Sequence, residues 1–161
     1  MEERIRNETE AVKAHFREVG LRWTRPRQEI VDAAFGTHEH FSAEDLLHMI
    51  RARNPETGVH LATVYRTLQV LEEGDFIEGL DVGKGSRLFE HTFGHEHHDH
   101  IICEDCGRIC EFHDENMESL KDRAAQDFGF TMKRHSLRIY GACNDLAAGA
   151  CEHFARRGRS S

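Results

Sequence analysis

The chain has 161 residues with 21 Lys plus Arg against 29 Asp plus Glu, so its formal charge of −8 excludes a nonspecific polycation but leaves room for a local basic face. A 39% hydrophobic fraction with two prolines excludes a disordered chain and suits one large domain or two small ones. No apolar run approaches the roughly 20 residues of a membrane span, and Met1 to Glu10 is charged where a secretory signal is apolar, so a cytoplasmic protein without a membrane partner is expected.

Helical periodicity appears over about Arg4 to Val19, Pro26 to Phe35, Ser42 to Asn54 and Leu61 to Glu73. Thr24 precedes Pro26 as a candidate cap, and Ser42 with Asp45 has the spacing of a near capping box. Asn54-Pro55-Glu56-Thr57-Gly58 ends the third helix and turns the chain into the fourth, which predicts a helix-turn-helix. On the fourth helix Leu61, Val64, Leu68 and Leu71 share the face to be buried. Ala62, Thr63, Arg66 and Gln69 lie opposite, with Tyr65 on the flank. Such a face, lacking carboxylates, suits the DNA major groove, although an ordinary solvated face explains the same residues more simply.

The runs Phe76 to Leu80 and Arg87 to Glu90 flank a glycine-rich turn at residues 81–86, and helices followed by such a hairpin predict a winged helix. Residues 1–84 hold 11 basic and 16 acidic groups, yet Lys13 to Arg27 holds five basic and one acidic, the local positive charge that phosphate contact requires.

Thirteen histidines and five cysteines are the compositional oddity, and every cysteine lies after residue 102. In a reducing compartment such clustering favours metal ligation over disulfides. His97 to Cys103 reads as a strand, so His97 and Asp99 leave one face while His98 and His100 leave the other, the beginnings of two metal sites. Cys103-Glu104-Asp105-Cys106-Gly107 reads as a zinc knuckle. Cys143 and Cys151 are candidates to close its site, with Cys110 on the expected strand Arg108 to Phe112 either a competing ligand or, preferably, a buried apolar side chain. Asn116 to Phe128 reads as a helix and Thr131 to Tyr140 as a strand, placing Glu118 and His135 where either could complete a site begun by His97 and Asp99.

These segments together resemble the ferric uptake regulator family of metal-dependent bacterial transcription repressors. The matching residues are Gly20-Leu21-Arg22-Trp23-Thr24-Arg25-Pro26-Arg27, Phe41-Ser42-Ala43-Glu44-Asp45-Leu46, Leu61-Ala62-Thr63-Val64-Tyr65-Arg66-Thr67-Leu68, His97-His98-Asp99-His100 with Cys103-x-x-Cys106, and His135-Ser136-Leu137 with Tyr140-Gly141-x-Cys143. The resemblance implies an α+β fold: a winged helix-turn-helix DNA-binding domain over residues 1–84, a hinge over 85–92 and an α/β metal-binding dimerisation domain over 93–161. It implies a metal-responsive, Fe(II)-activated repressor that binds double-stranded operator DNA as a homodimer, or as a tetramer, and controls metal-homeostasis genes.

By the same resemblance the sensory site comprises His40, Glu90, His98 and His100, the second site His97, Asp99, Glu118 and His135, and a structural zinc site Cys103, Cys106, Cys143 and Cys151. Arg22, Thr63, Tyr65 and Arg66 are the implied DNA contacts. His60 stands where relatives often carry a serine cap. Mn(II) or Zn(II) could substitute for Fe(II) among these donors. Zinc-sensing relatives commonly use a sensory cysteine, and none precedes Cys103 here, while peroxide-sensing relatives usually have an aspartate where this chain has Glu90; both absences favour iron, with peroxide, zinc or manganese sensing as the alternative. A zinc hydrolase or a metal store is the alternative class, but there is no His-Glu-x-x-His signature, and a store leaves the Leu61 helix unexplained. No enzymatic activity is expected.

Overall fold

The computed structural model describes residues 2–83, 87–94 and 97–152, so Met1, the hairpin turn at Lys84-Gly85-Ser86, His95 with Glu96, and the tail from His153 lie outside the described residues. The chain forms two compact units, one built from Met1–Asp81 with Gly85–Glu96 and the other from Val82–Lys84 with His97–Ser161.

The first unit is helical with a hairpin. α1 (Glu2–Glu18), α2 (Arg25–Phe35), α3 (Ala43–Arg53) and α4 (Leu61–Glu73) precede β1 (Ile77–Asp81) and β2 (Arg87–His91), which pair antiparallel with Leu80 opposite Leu88. One apolar core, including Val12, Phe16, Ile30, Leu46, Leu68 and Leu71, joins all four helices to the hairpin. α3 starts on a complete capping box: Asp45 N–H donates to Ser42 Oγ at 3.0 Å and Ser42 N–H to Asp45 Oδ2 at 2.9 Å, which satisfies amides that helix geometry leaves open. Thr24 occupies the cap position of α2 but makes no side-chain cap bond, so that expected contact is absent. His60 caps α4 by position only. After α4 the chain turns at Gly74, where a Cβ would lie 2.6 Å from Phe76 Cε2 and 2.8 Å from His15 Cδ2. Arg87–His91 form β2, the second strand of the hairpin expected over Arg87 to Glu90, extended by one residue because His91 still pairs with Ile77 of β1.

The second unit holds β3 (Asp99–Cys103), β4 (Ile109–Phe112), α5 (Glu115–Asp127), β5 (Arg138–Gly141) and the short α6 (Asn144–Ala147). The sheet order is β4-β3-β5, antiparallel for β3 with β4 and parallel for β3 with β5. The strand expected from Thr131 is confined to Arg138–Gly141, because β3 begins at Asp99 and offers partners only from His100, opposite Arg138, to Cys103, opposite Gly141. β3 likewise starts two residues later than the expected His97, its first residue being opposite Phe112 at the end of β4. α5 begins at an Asp114 cap that accepts from the Asn116 and Met117 amides. α5 has no buried residue, while Ile101, Leu120, Phe128, Phe130, Ile139 and Tyr140 are exposed.

Candidate metal centres and nucleic-acid face

The cysteine pair begins where β3 ends. Gly107 adopts φ 72°, a left-handed conformation cheap only for glycine, and its N–H donates to the Cys103 carbonyl at 2.8 Å, closing the turn that brings two sulfurs together. Ligand atoms of Cys103, Cys106 and Cys143 all lie within 4.8 Å of one another. Cys143 Sγ is 3.7 Å from Cys106 Sγ and 3.9 Å from Cys151 Sγ. α6 takes up the first four residues of the spacer between Cys143 and Cys151, and Cys103, Cys106 and Cys151 form a small buried cluster with the half-buried Cys143 packed against it. Cys110 stands outside that cluster on β4, half-buried rather than fully enclosed.

Burial raises the Cys103 thiol, but the backbone N–H groups of Cys106 and Cys143, the latter donating at 3.2 Å, outweigh it and bring the group down to about 7. Burial drives Cys106 the opposite way, assisted by the neighbouring thiols. One sulfur ionises readily and the next resists a second negative charge, a combination that a dication relieves. Three or four convergent thiols with no disulfide among the described residues fit zinc by donor type.

His97, Asp99, Glu118 and His135 bring their ligand atoms within 4.8 Å of one another. His97 Nε2 is 3.0 Å from Asp99 Oδ1, and His135 Nε2 is 3.5 Å from Glu118 Oε1. Although burial raises Asp99, the His97 hydrogen bond and the charges of Lys121, His97 and His135 lower it overall. Burial and the neighbouring cations lower His135, favouring the neutral imidazole that a metal needs. Two imidazoles and two carboxylates fit a divalent cation taking nitrogen and oxygen donors.

The residues assigned to the sensory set fall in pairs. Within the first unit His40 Nε2 is 3.5 Å from Glu90 Oε2, positioned by the bridge between Phe41 and Phe89. Within the second unit the rings of His98 and His100 have centroids 5.0 Å apart, and His98 Nε2 lies 3.8 Å from Glu111 Oε2. Glu111 and Lys121 escaped the sequence reading. Glu111 sits opposite His100 in the β3–β4 register, and Lys121 follows Glu118 at i+3 on α5, so pairing and helical spacing were the signals to use.

On α4, Val64, Leu68 and Leu71 are buried and Leu61 half-buried, while Ala62, Tyr65, Arg66 and Gln69 are exposed and Thr63 is half-buried. Tyr65 Oη donates to Glu44 Oε1 at 2.8 Å, which holds the phenol on the face expected to meet DNA. Arg22 is exposed, and its carbonyl accepts from the Arg27 guanidinium. Lys13 and Arg25 pair with Glu10 and Glu29, so part of the local positive charge is already offset.

No helix among the described residues is long and apolar enough to cross a membrane. Residues 18–140 match the Ferric uptake regulator family. The chain is 38% identical over 137 residues to the Ferric uptake regulation protein of Neisseria meningitidis serogroup A, covering 84% of this chain and 92% of that protein. Among solved structures it is similar to the Helicobacter pylori ferric uptake regulator, described as having three functional metal binding sites, with TM-score 0.72, 29% identity and coverage of 89% of this chain and 93% of that one. The Francisella tularensis ferric uptake regulator, solved with iron, gives TM-score 0.64 at 33% identity, covering 80% and 96%. With a winged helix first, an α/β unit second and clustered thiol, imidazole and carboxylate donors, the chain belongs to the ferric uptake regulator family of metal-responsive transcription regulators.

Proposed function

We propose that this protein is an Fe(II)-activated repressor, a regulator rather than an enzyme, acting in the cytoplasm as a homodimer on operator DNA. The observation that carries it is the His40–Glu90 pair, nitrogen and oxygen donors 3.5 Å apart inside the unit that also presents α4. Ligands so placed couple metal occupancy to the DNA-reading half. His98 and His100 supply the other donors of the sensory set, and His97, Asp99, Glu118 and His135 make up the second. Cys103, Cys106, Cys143 and Cys151 would hold a structural zinc. His40 and Glu90 would be among the residues that hold a dication there, which would supply the positive charge that offsets the Glu90 carboxylate. Oxygen and nitrogen donors suit Fe(II), and the Francisella relative solved with iron supports that choice, with Mn(II) and Zn(II) as chemical substitutes.

Within this reading residues 1–84 form the DNA-binding half, with Thr63, Tyr65 and Arg66 of α4 in the major groove and Arg22 in a narrowed minor groove. Residues 93–161 form the dimerisation half, joined through a hinge around residues 85–92, of which 87–91 also make the wing strand. Ile101 and Ile139 pair in register and are both exposed, an apolar row that a second copy can cover. Sedimentation separates this dimer from a tetramer.

The experiment is His100→Ala. Metal-dependent DNA retardation should weaken while sedimentation still reports the wild-type assembly; unchanged metal dependence would remove His100 from the sensory set.

A further inference from the structure

Lys121 belongs to no ligand set, yet its ammonium stands among the residues of the second one. Nζ donates to Glu118 Oε1 at 2.7 Å, lies 3.6 Å from Asp99 Oδ2, and contacts His135 Nε2. One side chain thus addresses three of the set's four members, including an Asp99 side chain that is only 1% exposed. α5 brings this about, since Lys121 follows Glu118 by one turn on the same face.

The set's ligand atoms lie within 4.8 Å of one another. A metal bonded to such donors at the usual ~2.0–2.2 Å occupies the same small volume as Nζ. Two cations that close repel strongly. The contact with His135 Nε2 also engages the nitrogen a metal requires. Lys121 remains 21% exposed on a flexible four-carbon stem, so its ammonium can rotate into water without unpacking α5, which buries no residue of its own.

We propose that Lys121 is a built-in competitor for the second site, an ammonium that neutralises Asp99 and Glu118 until a divalent cation displaces it into solvent. The inference rests on the reading of His97, Asp99, Glu118 and His135 as a metal-binding set. Its consequence is a site that fills late, when metal is abundant, and that keeps its carboxylates compensated when metal is scarce. If the state with Lys121 swung out holds ~0.1–10% of the population, a typical range for a minor conformer, apparent affinity falls by about 10- to 1000-fold.

The test is an anaerobic Co(II) titration of the full chain against a competing chelator, read from the ligand-field absorption of nitrogen- and oxygen-bound cobalt. The binding step lost in His135→Ala identifies the second site. In Lys121→Gln and in Lys121→Met that step should tighten by at least about tenfold, whereas Lys121→Arg, which keeps the charge, should hold it near the wild-type affinity. Wild-type affinity in both neutral variants overturns the competition and leaves the ligand set standing. If His135→Ala removes no step, the ligand set itself is wrong and the role of Lys121 falls with it.

Discussion

Cys103 and Cys106 are separated by two residues yet differ in acidity, because Cys103 collects backbone N–H donors while Cys106 is buried among other sulfurs. With Cys103 near 7 and Cys106 raised, zinc entering the cluster at neutral pH displaces protons. Calorimetry in buffers of different ionisation enthalpy should therefore show proton release on zinc binding; a heat independent of buffer would argue against thiolate ligation. Cys103→Ser should lose stoichiometric zinc and loosen the assembly, measured by metal content and sedimentation, whereas zinc retained in full would point to Cys110 or to nitrogen ligands. At the DNA face, Arg66→Ala should weaken operator binding by about 1–3 kcal/mol if its contact reads a base. Metal content should stay the same, and equal operator affinity in the variant would take Arg66 out of the interface.

Among the elements, α3 offers the cleanest local test. Ser42→Ala removes the hydroxyl that accepts from the Asp45 N–H, while the residue-42 N–H can still donate to Asp45 Oδ2, and it should cost about 1 kcal/mol, visible as a lower denaturation midpoint, with the helix otherwise intact. That cap was readable in the sequence because its residues are three apart and interact only with one another. The four helices were readable for the same reason, since their apolar spacing needs no distant partner. Strand limits were not. Thr131 to Tyr140 alternates throughout, but a strand exists only where another strand accepts its hydrogen bonds, and β3 provides those from His100 to Cys103. The alternation read over His97 to His100 did foreshadow that His97 lies by Asp99 and His98 by His100, although β3 itself starts only at Asp99. Glu111 and Lys121 were missed because the spacing that places them near His100 and Glu118 does not by itself show that they meet the other ligand residues, which takes the β3–β4 register for one and the contact with Asp99 for the other. Thr24 shows the reverse case, a residue type and position suited to capping whose hydroxyl makes no cap bond.

At the scale of the whole molecule, the net charge of −8 is a poor guide to its partner. Glu90, Asp99 and Glu118 are carboxylates that a bound cation would offset, and Arg22 and Arg66, the proposed DNA contacts, are exposed. Nucleic-acid affinity then depends on which groups are compensated and not on the total. If the proposed sensory set holds the activating metal, metal and DNA binding are linked thermodynamically and each should strengthen the other by the same factor. The most direct test is anaerobic retardation of a duplex selected by the Fe(II)-loaded protein from a random pool, followed as Fe(II) is added to chelator-treated wild type. Retardation should rise with Fe(II) and reverse with chelator. Retardation that is equal with and without metal, or no duplex retained in its presence, would contradict a metal-activated repressor.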